Sequence, residues 1–200
     1  MTLLLEAVKK LDETVHGSGC EDGVATLKRK PDAPRCQFER GAMIEASFGG
    51  RTAQVVTESP VQTQTRLSSL FGRDLPSPEL RTAALAIVNV VAGFLCIGRK
   101  FHACDPACHG PCLRELREEI RGRRIFTSVN VPVLSQEIAP LITGMAGDAE
   151  ILVLTGECLI REEGSDLREQ AADRGILLLG PSTEGVASLL ALPHWCPYGR

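Results

Sequence analysis

The chain has 200 residues, of which 44% are hydrophobic and 24% are charged, so it can bury a core and is not a disordered tail. Its net charge of −3 and its 4% aromatic content argue against nucleic acid as the main partner, because nucleic-acid-binding surfaces are basic and often stack bases on aromatic rings. The eight cysteines are the unusual feature of the composition.

The first part of the chain, residues 1–76, is predicted to form a small α+β unit. Apolar residues recur at helical spacing over residues 3–15, which indicates an amphipathic first helix. Strands are predicted at 24–27, 42–48 and 51–56. The pair Gly49-Gly50 between the last two strands favours a tight hairpin, because glycine accepts the positive φ angles that such turns need.

The segment 77–122 is predicted to connect this unit to the rest of the chain through a long apolar helix and a cysteine-rich loop. Ser77 is a suitable N-cap and Pro78 fits the first helical position. The following 17 residues, 82–98, carry no charge. They are short for a membrane span, which needs about 20 residues, so we expect a buried core helix and no contact with a membrane.

From residue 123 onwards, apolar strands alternate with amphipathic helices. Strands are predicted at 123–129, 150–154 and 176–179, and helices at 135–145, 165–175 and 182–190. Continuous apolar strands joined by helices indicate a parallel sheet that is covered on both faces. The predicted fold class is therefore α/β, with the small α+β unit followed by a short Rossmann-like unit at 123–200.

Three cysteines spaced four apart give the strongest chemical signal. They lie in a loop that runs into the start of a helix, where thiolates can converge on one metal. The predicted ligands are Cys104, Cys108 and Cys112, with Cys158, Cys96, His102 or His109 as a fourth. The spacing matches neither a zinc ribbon nor the common ferredoxin runs, so zinc and an iron–sulfur cluster both remain open. Reduced thiols without a metal and a redox disulfide are the alternatives.

Polar residues that follow the predicted parallel strands form a second candidate site. In open α/β sheets, ligands bind beyond the carboxyl ends of the strands. The predicted binding residues there are Asn130, Thr155, Gly156, Glu157, Ser182 and Thr183. The competing interpretation is that Thr155 and Ser182 only cap the helices that follow them.

Other features of the sequence carry less chemistry. Cys20 and Cys36 stand alone, and Trp195, between His194 and Cys196, is expected to pack the tail against the core rather than to mark a chelating pair. No glycine-rich dinucleotide motif or P-loop is present. The apolar run at the N-terminus is interrupted by Glu6, unlike a secretory signal, so we expect a reducing, cytoplasmic location.

The order of these parts resembles a family of bacterial and archaeal proteins known as the heavy-metal chelation family. The resemblance lies in the segments 82–92, 148–160 and 177–183, although Glu184 stands where that family has a proline. It implies an enolase-N-terminal-like unit joined to a Rossmann-like unit, with a cleft between them. On this resemblance the cleft, lined by Asn130, Thr155, Gly156, Ser182 and Thr183, is suited to a metal or a small anionic ligand.

The leading functional hypothesis is thus a cytoplasmic protein that binds a metal ion or an iron–sulfur cluster, for metal handling, redox sensing or cofactor assembly. The alternative is a transferase-type enzyme that uses a nucleotide-like cosubstrate in the cleft at the sheet edge. A third possibility is a homodimer that packs through the long apolar helix.

Overall fold

A computed structural model describes residues 1–138, 141–161 and 174–200 of the chain. Its helices and strands are labelled in chain order. They are α1 Leu3–Val15, β1 Val24–Arg29, β2 Ala42–Phe48, β3 Arg51–Thr57, β4 Thr63–Arg66, α2 Pro78–Phe94, α3 His109–Glu119, β5 Ile125–Phe126, α4 Pro132–Glu137, β6 Ile151–Leu154, α5 Gly156–Arg161, β7 Gly175–Leu179, α6 Glu184–Leu190 and β8 His194–Trp195.

The first sheet is antiparallel, with the strand order β3-β2-β1-β4. Strands β2 and β3 form the predicted hairpin, in which Phe48 pairs with Arg51 across Gly49 and Gly50. Both glycines have positive φ angles, 54° and 78°. Strand β4 was not predicted, because its sequence TQTR is polar on both faces and gives no apolar alternation.

The second sheet is parallel, with the strand order β5-β6-β7-β8. Alternate residues of β6 point to opposite faces of the sheet. Leu152 and Leu154 join the core formed with α1, α2, α5 and α6, whereas Ile151 and Val153 join a core formed with α3 and α4. Helices therefore cover both faces, and the predicted α/β class with a short Rossmann-like sheet is confirmed.

Helix α2 packs between the two sheets. Ser77 Oγ accepts a hydrogen bond from the Leu80 amide at 3.3 Å, as predicted for an N-cap. The helix is buried nearly all round, and it contacts β2 and β3 on one side and α5 and α6 on the other. Among the described residues, no helix is long and apolar enough to cross a membrane.

Several predicted elements of the second half differ in the structure. The helix predicted at 135–145 with a Ser135 cap is wrong: α4 begins at Pro132, which fits the first turn. It ends at Glu137, and Ile142 then forms a parallel bridge with Ile125. The strand predicted at 123–129 shortens to Ile125–Phe126. The helix predicted at 165–175 lies almost wholly outside the described residues.

The two sheets lie in different segments of the predicted division into 1–76, 77–122 and 123–200, which itself stays a prediction. The antiparallel strands lie in the first segment, α2 and α3 in the second, and the parallel strands in the third. A single hydrophobic core nevertheless includes residues of all three segments, such as Leu4, Val88 and Leu178. The first and last segments are therefore held together both through α2 and by direct contacts, such as those of α1 with α6 and of β3 with α5.

Candidate functional site

Four cysteines from distant parts of the chain line one cavity, which we call the cysteine pocket. They are Cys36, Cys104, Cys112 and Cys196, and none is more than 7% exposed. Gln37, Phe38, His109, Pro181, Trp195, Tyr198 and Gly199 complete the lining. All eight cysteines of the chain are free thiols.

The loop between β1 and β2 supplies Cys36. This loop turns back on itself where the Glu39 amide donates to the Cys36 carbonyl at 3.0 Å. The next residue, Gln37, donates its side-chain amide to the His109 carbonyl at 2.7 Å and so fixes the loop to the start of α3. Cys112 lies in the first turn of the same helix.

The other two cysteines are positioned by extended segments. The Gln54 amide donates to the Phe101 carbonyl at 2.9 Å, and the Ala103 amide donates to Gln54 Oε1 at 2.8 Å. Together these bonds hold the residues before Cys104 against β3. Cys196 directly follows β8, which pairs with β7 through Trp195. Its thiol lies against the backbone of Gly199, where an added Cβ would come within 2.5 Å of Sγ.

Two buried polar atoms in or beside this site have no hydrogen-bond partner among the described residues. They are His109 Nε2 and Glu39 Oε2. Buried polar atoms in folded proteins are nearly always bonded, so each unpaired one points to a further partner, such as a water molecule or an ion. His109 lines the cysteine pocket itself, and so does Trp195, whose indole forms a hydrogen bond with the Cys112 thiol.

Burial keeps these thiols in their protonated form. It raises the pKa of Cys36 well above the ordinary value, with smaller contributions from Glu39 and the neighbouring cysteines. It raises the pKa of Cys196 to about 12, again with contributions from Glu39 and the other thiols. The pKa values of Cys104 and Cys112 are raised for the same main reason. These thiols are therefore poor nucleophiles as they stand.

The pocket is small. The space open to the centre of a water-sized sphere is about 10 Å³, close to the minimum that one water molecule needs. Among the described residues, no three Cys, His, Asp or Glu side chains already stand at the spacing of a metal site. Metal binding would therefore require the thiols to rotate inward.

Glu39 lies between the cysteine pocket and the parallel sheet. It is only 8% exposed, and burial raises its pKa to about 7 in spite of the hydrogen bonds that it receives from Ser182. An added Cβ on Gly180 would lie 2.8 Å from Glu39 Oε1 and 3.4 Å from Cys36 Sγ. The carboxyl group is thus close to a thiol and can hold a proton near neutral pH.

The structure brings together three of the seven candidate metal ligands, Cys104, Cys112 and His109. Cys108 is half-buried next to Cys104, whose pKa it raises, but it does not line the pocket. Cys158 is buried elsewhere, with its Sγ 3.3 Å from the Thr155 amide that donates to it. Cys96 is exposed and has a left-handed φ of 58°. Neither Cys158 nor Cys96 is part of the pocket lining.

The predicted sheet-edge residues divide into two groups. Asn130, Thr155 and Glu157 line a cleft of about 110 Å³ together with Arg40 and Arg161.

The second group consists of Gly156, Ser182 and Thr183, which are buried in packing contacts. Ser182 Oγ accepts from the Val56 amide at 3.0 Å, and Thr183 Oγ1 donates to the Leu179 carbonyl at 3.1 Å. An added Cβ on Gly156 would lie 2.6 Å from Ser182 Cβ. These three residues hold β7 to its neighbours rather than face the cleft.

The charges in the sheet-edge cleft balance each other. Arg161 donates to Glu157 Oε1 at 2.8 Å and also pairs with Glu58. Glu157 Oε2 in turn accepts from Thr57 Oγ1 at 3.0 Å. Because Arg161 is already paired with two carboxylates, Arg40 is the one arginine of the described cleft lining that is left for an anion.

Sequence reasoning missed Cys36, Cys196 and Glu39 as members of one site. Cys36 and Glu39 sit in a proline-containing loop far from the other thiols in the chain. Cys196 stands next to a tryptophan, which we expected to pack the tail. The only available signal was the large number of cysteines in a chain expected in a reducing compartment. That number does not show which cysteines lie together in the fold.

Comparisons with known proteins assign no family to the chain. No family model matches it, and no curated protein does. One similar solved structure is a protein of unknown function from the DUF364 family of Pyrococcus horikoshii. It is 13% identical, with 90% of this chain and 79% of that chain covered and a TM-score of 0.49. The function is therefore argued from the chain's own residues.

Proposed function

We propose that this protein binds a single thiophilic divalent metal ion, with zinc as the reference, in the cysteine pocket, and that it does so in the cytoplasm. The observation that supports the proposal is the convergence of four buried cysteines from three separate segments on one cavity. Free cysteines often serve as small core residues. Four of them around one cavity, with an unpaired histidine nitrogen beside them, favour a metal site instead.

The donor set fits a soft or borderline cation. Thiolate and imidazole are the ligands that structural zinc sites use, usually four at a time. Cys112 and Cys196 raise the pKa of Cys36. Cys104 raises the pKa of Cys112 and, together with Cys112, that of Cys196. We assign these four thiols as the ligands of the metal ion. If one of the thiols cannot reach the ion, His109 Nε2 takes its place as the fourth ligand.

The size of the cavity favours one ion over a cluster. With about 10 Å³ of open space, the pocket accepts a metal ion after small side-chain rotations. An iron–sulfur cluster, which carries its own sulfides, would require the surrounding segments to separate. Of the two cofactors that the sequence leaves open, we therefore favour zinc.

Metal uptake must release protons. The pocket thiols have raised pKa values, and each must lose its proton to become a ligand. The affinity for zinc is therefore expected to fall as the pH is lowered. Glu39, with a pKa of about 7, lies beside Cys36 and is positioned to accept one of the released protons at neutral pH.

The test is metal analysis of protein purified without oxygen. We expect about one zinc per chain and no visible absorption. The double variant Cys36→Ser, Cys196→Ser should lose the metal. The matched control, Cys20→Ser with Cys96→Ser, removes two thiols outside the pocket and should keep it.

Folding is checked separately, so that a loss of metal can be interpreted. The single variant Cys112→Ser leaves three thiols in place, and its circular dichroism should match that of the parent chain while its zinc affinity falls. Equal zinc content in the pocket and control variants would overturn the proposal, and so would a parent chain that binds no zinc when titrated with it. A brown protein with iron and sulfide would show that the cluster is the cofactor.

The alternative, a transferase-type enzyme at the sheet-edge cleft, has less support. The cleft is small, and its arginine Arg161 is already paired with two carboxylates. The resemblance to the heavy-metal chelation family agrees with metal handling as the role. That resemblance rests on other residues, and the cysteine pocket is argued independently of it.

A further inference from the structure

A second, larger cavity lies beside the segment that leads to Cys104, with Phe101 and His102 in its lining. Its volume is about 490 Å³, and we call it the cationic cleft. Arg51 from the start of β3 and Arg99 and His102 from the segment after α2 line it, together with Arg200. The described residues of its lining include no aspartate or glutamate.

The backbone around this cleft is held in place by hydrogen bonds. The His102 amide donates to the Arg200 carbonyl at 2.7 Å, and the Arg200 amide donates to the His102 carbonyl at 3.0 Å. His102 Nε2 lies 3.0 Å from Thr52 Oγ1 on β3. The main chain that carries the basic side chains is therefore fixed before any ligand arrives, which reduces the entropy lost on binding.

Two of the positive charges, those of Arg51 and Arg99, have no acidic side-chain partner within the described part of the chain. No carboxylate pairs with the guanidinium of Arg51 or of Arg99 there. The carboxylate of Glu184 is bonded to this segment, because its Oε1 accepts from the Arg99 amide at 3.0 Å. The other oxygen of Glu184 lies 2.7 Å from His194 Nδ1, so that carboxylate is already paired.

We propose that the cationic cleft binds a small molecule that carries a phosphoryl group with at least two negative charges, such as a diphosphate. Guanidinium groups bind phosphate oxygens through paired N–H donors. The volume lies within the range of small-molecule sites, about 300–1,000 Å³. The whole chain has a net charge of −3. The positive charge of the cleft is therefore a local feature and does not follow from the overall composition.

The cleft is adjacent to the proposed metal site, because Arg200 of the cleft lowers the pKa of Cys104, but the two sites are built from different residues. Its lining shares no residue with that of the cysteine pocket. Ligand binding here should therefore survive the loss of the pocket thiols. Conversely, failure of one proposal leaves the other standing.

The test is isothermal titration calorimetry of the full chain with inorganic pyrophosphate at low salt. We expect saturable binding of about one pyrophosphate per chain. In each of the variants Arg51→Gln and Arg99→Gln, the affinity for pyrophosphate should be at least about fivefold lower than in the parent chain. The matched control is Arg73→Gln, which removes the same charge from an exposed loop outside the cleft and should bind like the parent chain.

Two further comparisons separate a built site from general attraction. Inorganic phosphate should bind more weakly than pyrophosphate, because it bears fewer charges. The double variant Cys36→Ser, Cys196→Ser should bind pyrophosphate normally. Absence of saturable binding would overturn the proposal, and so would an equal loss of affinity in Arg73→Gln and in the cleft variants.

Discussion

Glu39 Oε1 accepts a hydrogen bond from the main-chain amide of Ser182 at 3.1 Å. Ser182 Oγ in turn accepts from the Val56 amide of β3 at 3.0 Å. The pair therefore joins the loop that carries Cys36 to the carboxyl end of β7 and to the antiparallel sheet. The stability of the cysteine pocket should depend on the protonation of this one carboxyl group.

Replacement of Glu39 by glutamine should stabilise the metal-free protein above neutral pH. The pKa of Glu39 rises from 4.5 to about 7 on folding, so the folded state holds a proton that the unfolded state releases. The parent chain therefore loses stability as the pH rises from about 4.5 through about 7, by an amount on the order of 3 kcal/mol. Glutamine keeps an oxygen that can accept the hydrogen bond from the Ser182 amide, and because it does not titrate, the variant does not lose stability as the pH rises.

Urea unfolding of the Glu39→Gln variant at pH 5 and at pH 8 measures this difference. We expect the free energy of unfolding of the variant to exceed that of the parent chain at pH 8, and the difference to be much smaller at pH 5. The control Glu119→Gln changes an exposed carboxylate and should alter the free energy of unfolding by less than about 0.5 kcal/mol at either pH. A Glu39 variant that is less stable than the parent at pH 8 would contradict the assignment.

The pair Glu184 and His194 should have the opposite pH dependence. Burial alone would raise the pKa of Glu184, but the hydrogen bond and charge of His194, together with main-chain amides, lower it to about 2. The ring nitrogens of His194 face two acceptors, Glu184 Oε2 at 2.7 Å and the Gly180 carbonyl at 2.9 Å.

The contribution of Glu184 to stability is thus present above about pH 4.5 and is lost as the pH falls towards about 2. The variant Glu184→Gln should be less stable than the parent at pH 7, by about 3 kcal/mol. The difference should shrink steadily below pH 4.5. Thermal unfolding followed by circular dichroism across this range measures it, and a difference that does not vary with pH would exclude the ion pair as its cause.

Asn89 is a buried polar residue in the middle of α2, and both polar atoms of its side chain form hydrogen bonds. Its Nδ2 donates to the Ser182 carbonyl at 2.9 Å and to the Pro181 carbonyl at 3.3 Å. Its Oδ1 accepts from the Gly185 amide at 2.8 Å. Replacement by alanine leaves these groups buried and unpaired, and should cost about 3 kcal/mol or more. In the same urea assay the exposed Asn130→Ala should change stability little, and equal effects at both positions would refute this role.

Gly180 should tolerate no side chain. Its φ of 82° with a ψ of 168° lies in a region that is essentially restricted to glycine, with a strain of about 1–3 kcal/mol for other residues. An added Cβ would also meet Glu39 Oε1 at 2.8 Å. We expect Gly180→Ala to lower both the melting temperature and the zinc content. Gly110→Ala, whose Cβ would approach only Arg114 at 3.5 Å, should do neither.

The regular elements of the fold could be predicted from local patterns. Helices α1 and α2 follow from apolar periodicity and, for α2, from the Ser77-Pro78 start. The parallel strands follow from short apolar runs. Strand β8 could not be predicted, because it consists of only two residues, in a short stretch between Pro193 and Pro197.

Only two of the four cysteines of the pocket could be grouped from the sequence. Cys104 and Cys112 stand in one local pattern, whereas Cys36 and Cys196 join them through the tertiary fold alone. The topological argument placed Cys158 at the sheet edge, where it does follow β6, but Thr155 engages its thiol. Sequence spacing finds ligands on one segment, and it gives no information about which segments meet.

The most direct test of the central claim is X-ray absorption spectroscopy at the zinc edge of the zinc-loaded full chain. The cysteine pocket predicts a shell of three or four sulfur atoms at about 2.3 Å from the metal. The Cys36→Ser, Cys196→Ser variant should lose that shell. A spectrum with only nitrogen and oxygen neighbours at about 2.0–2.2 Å would contradict the account, because it would place the zinc outside the four thiols.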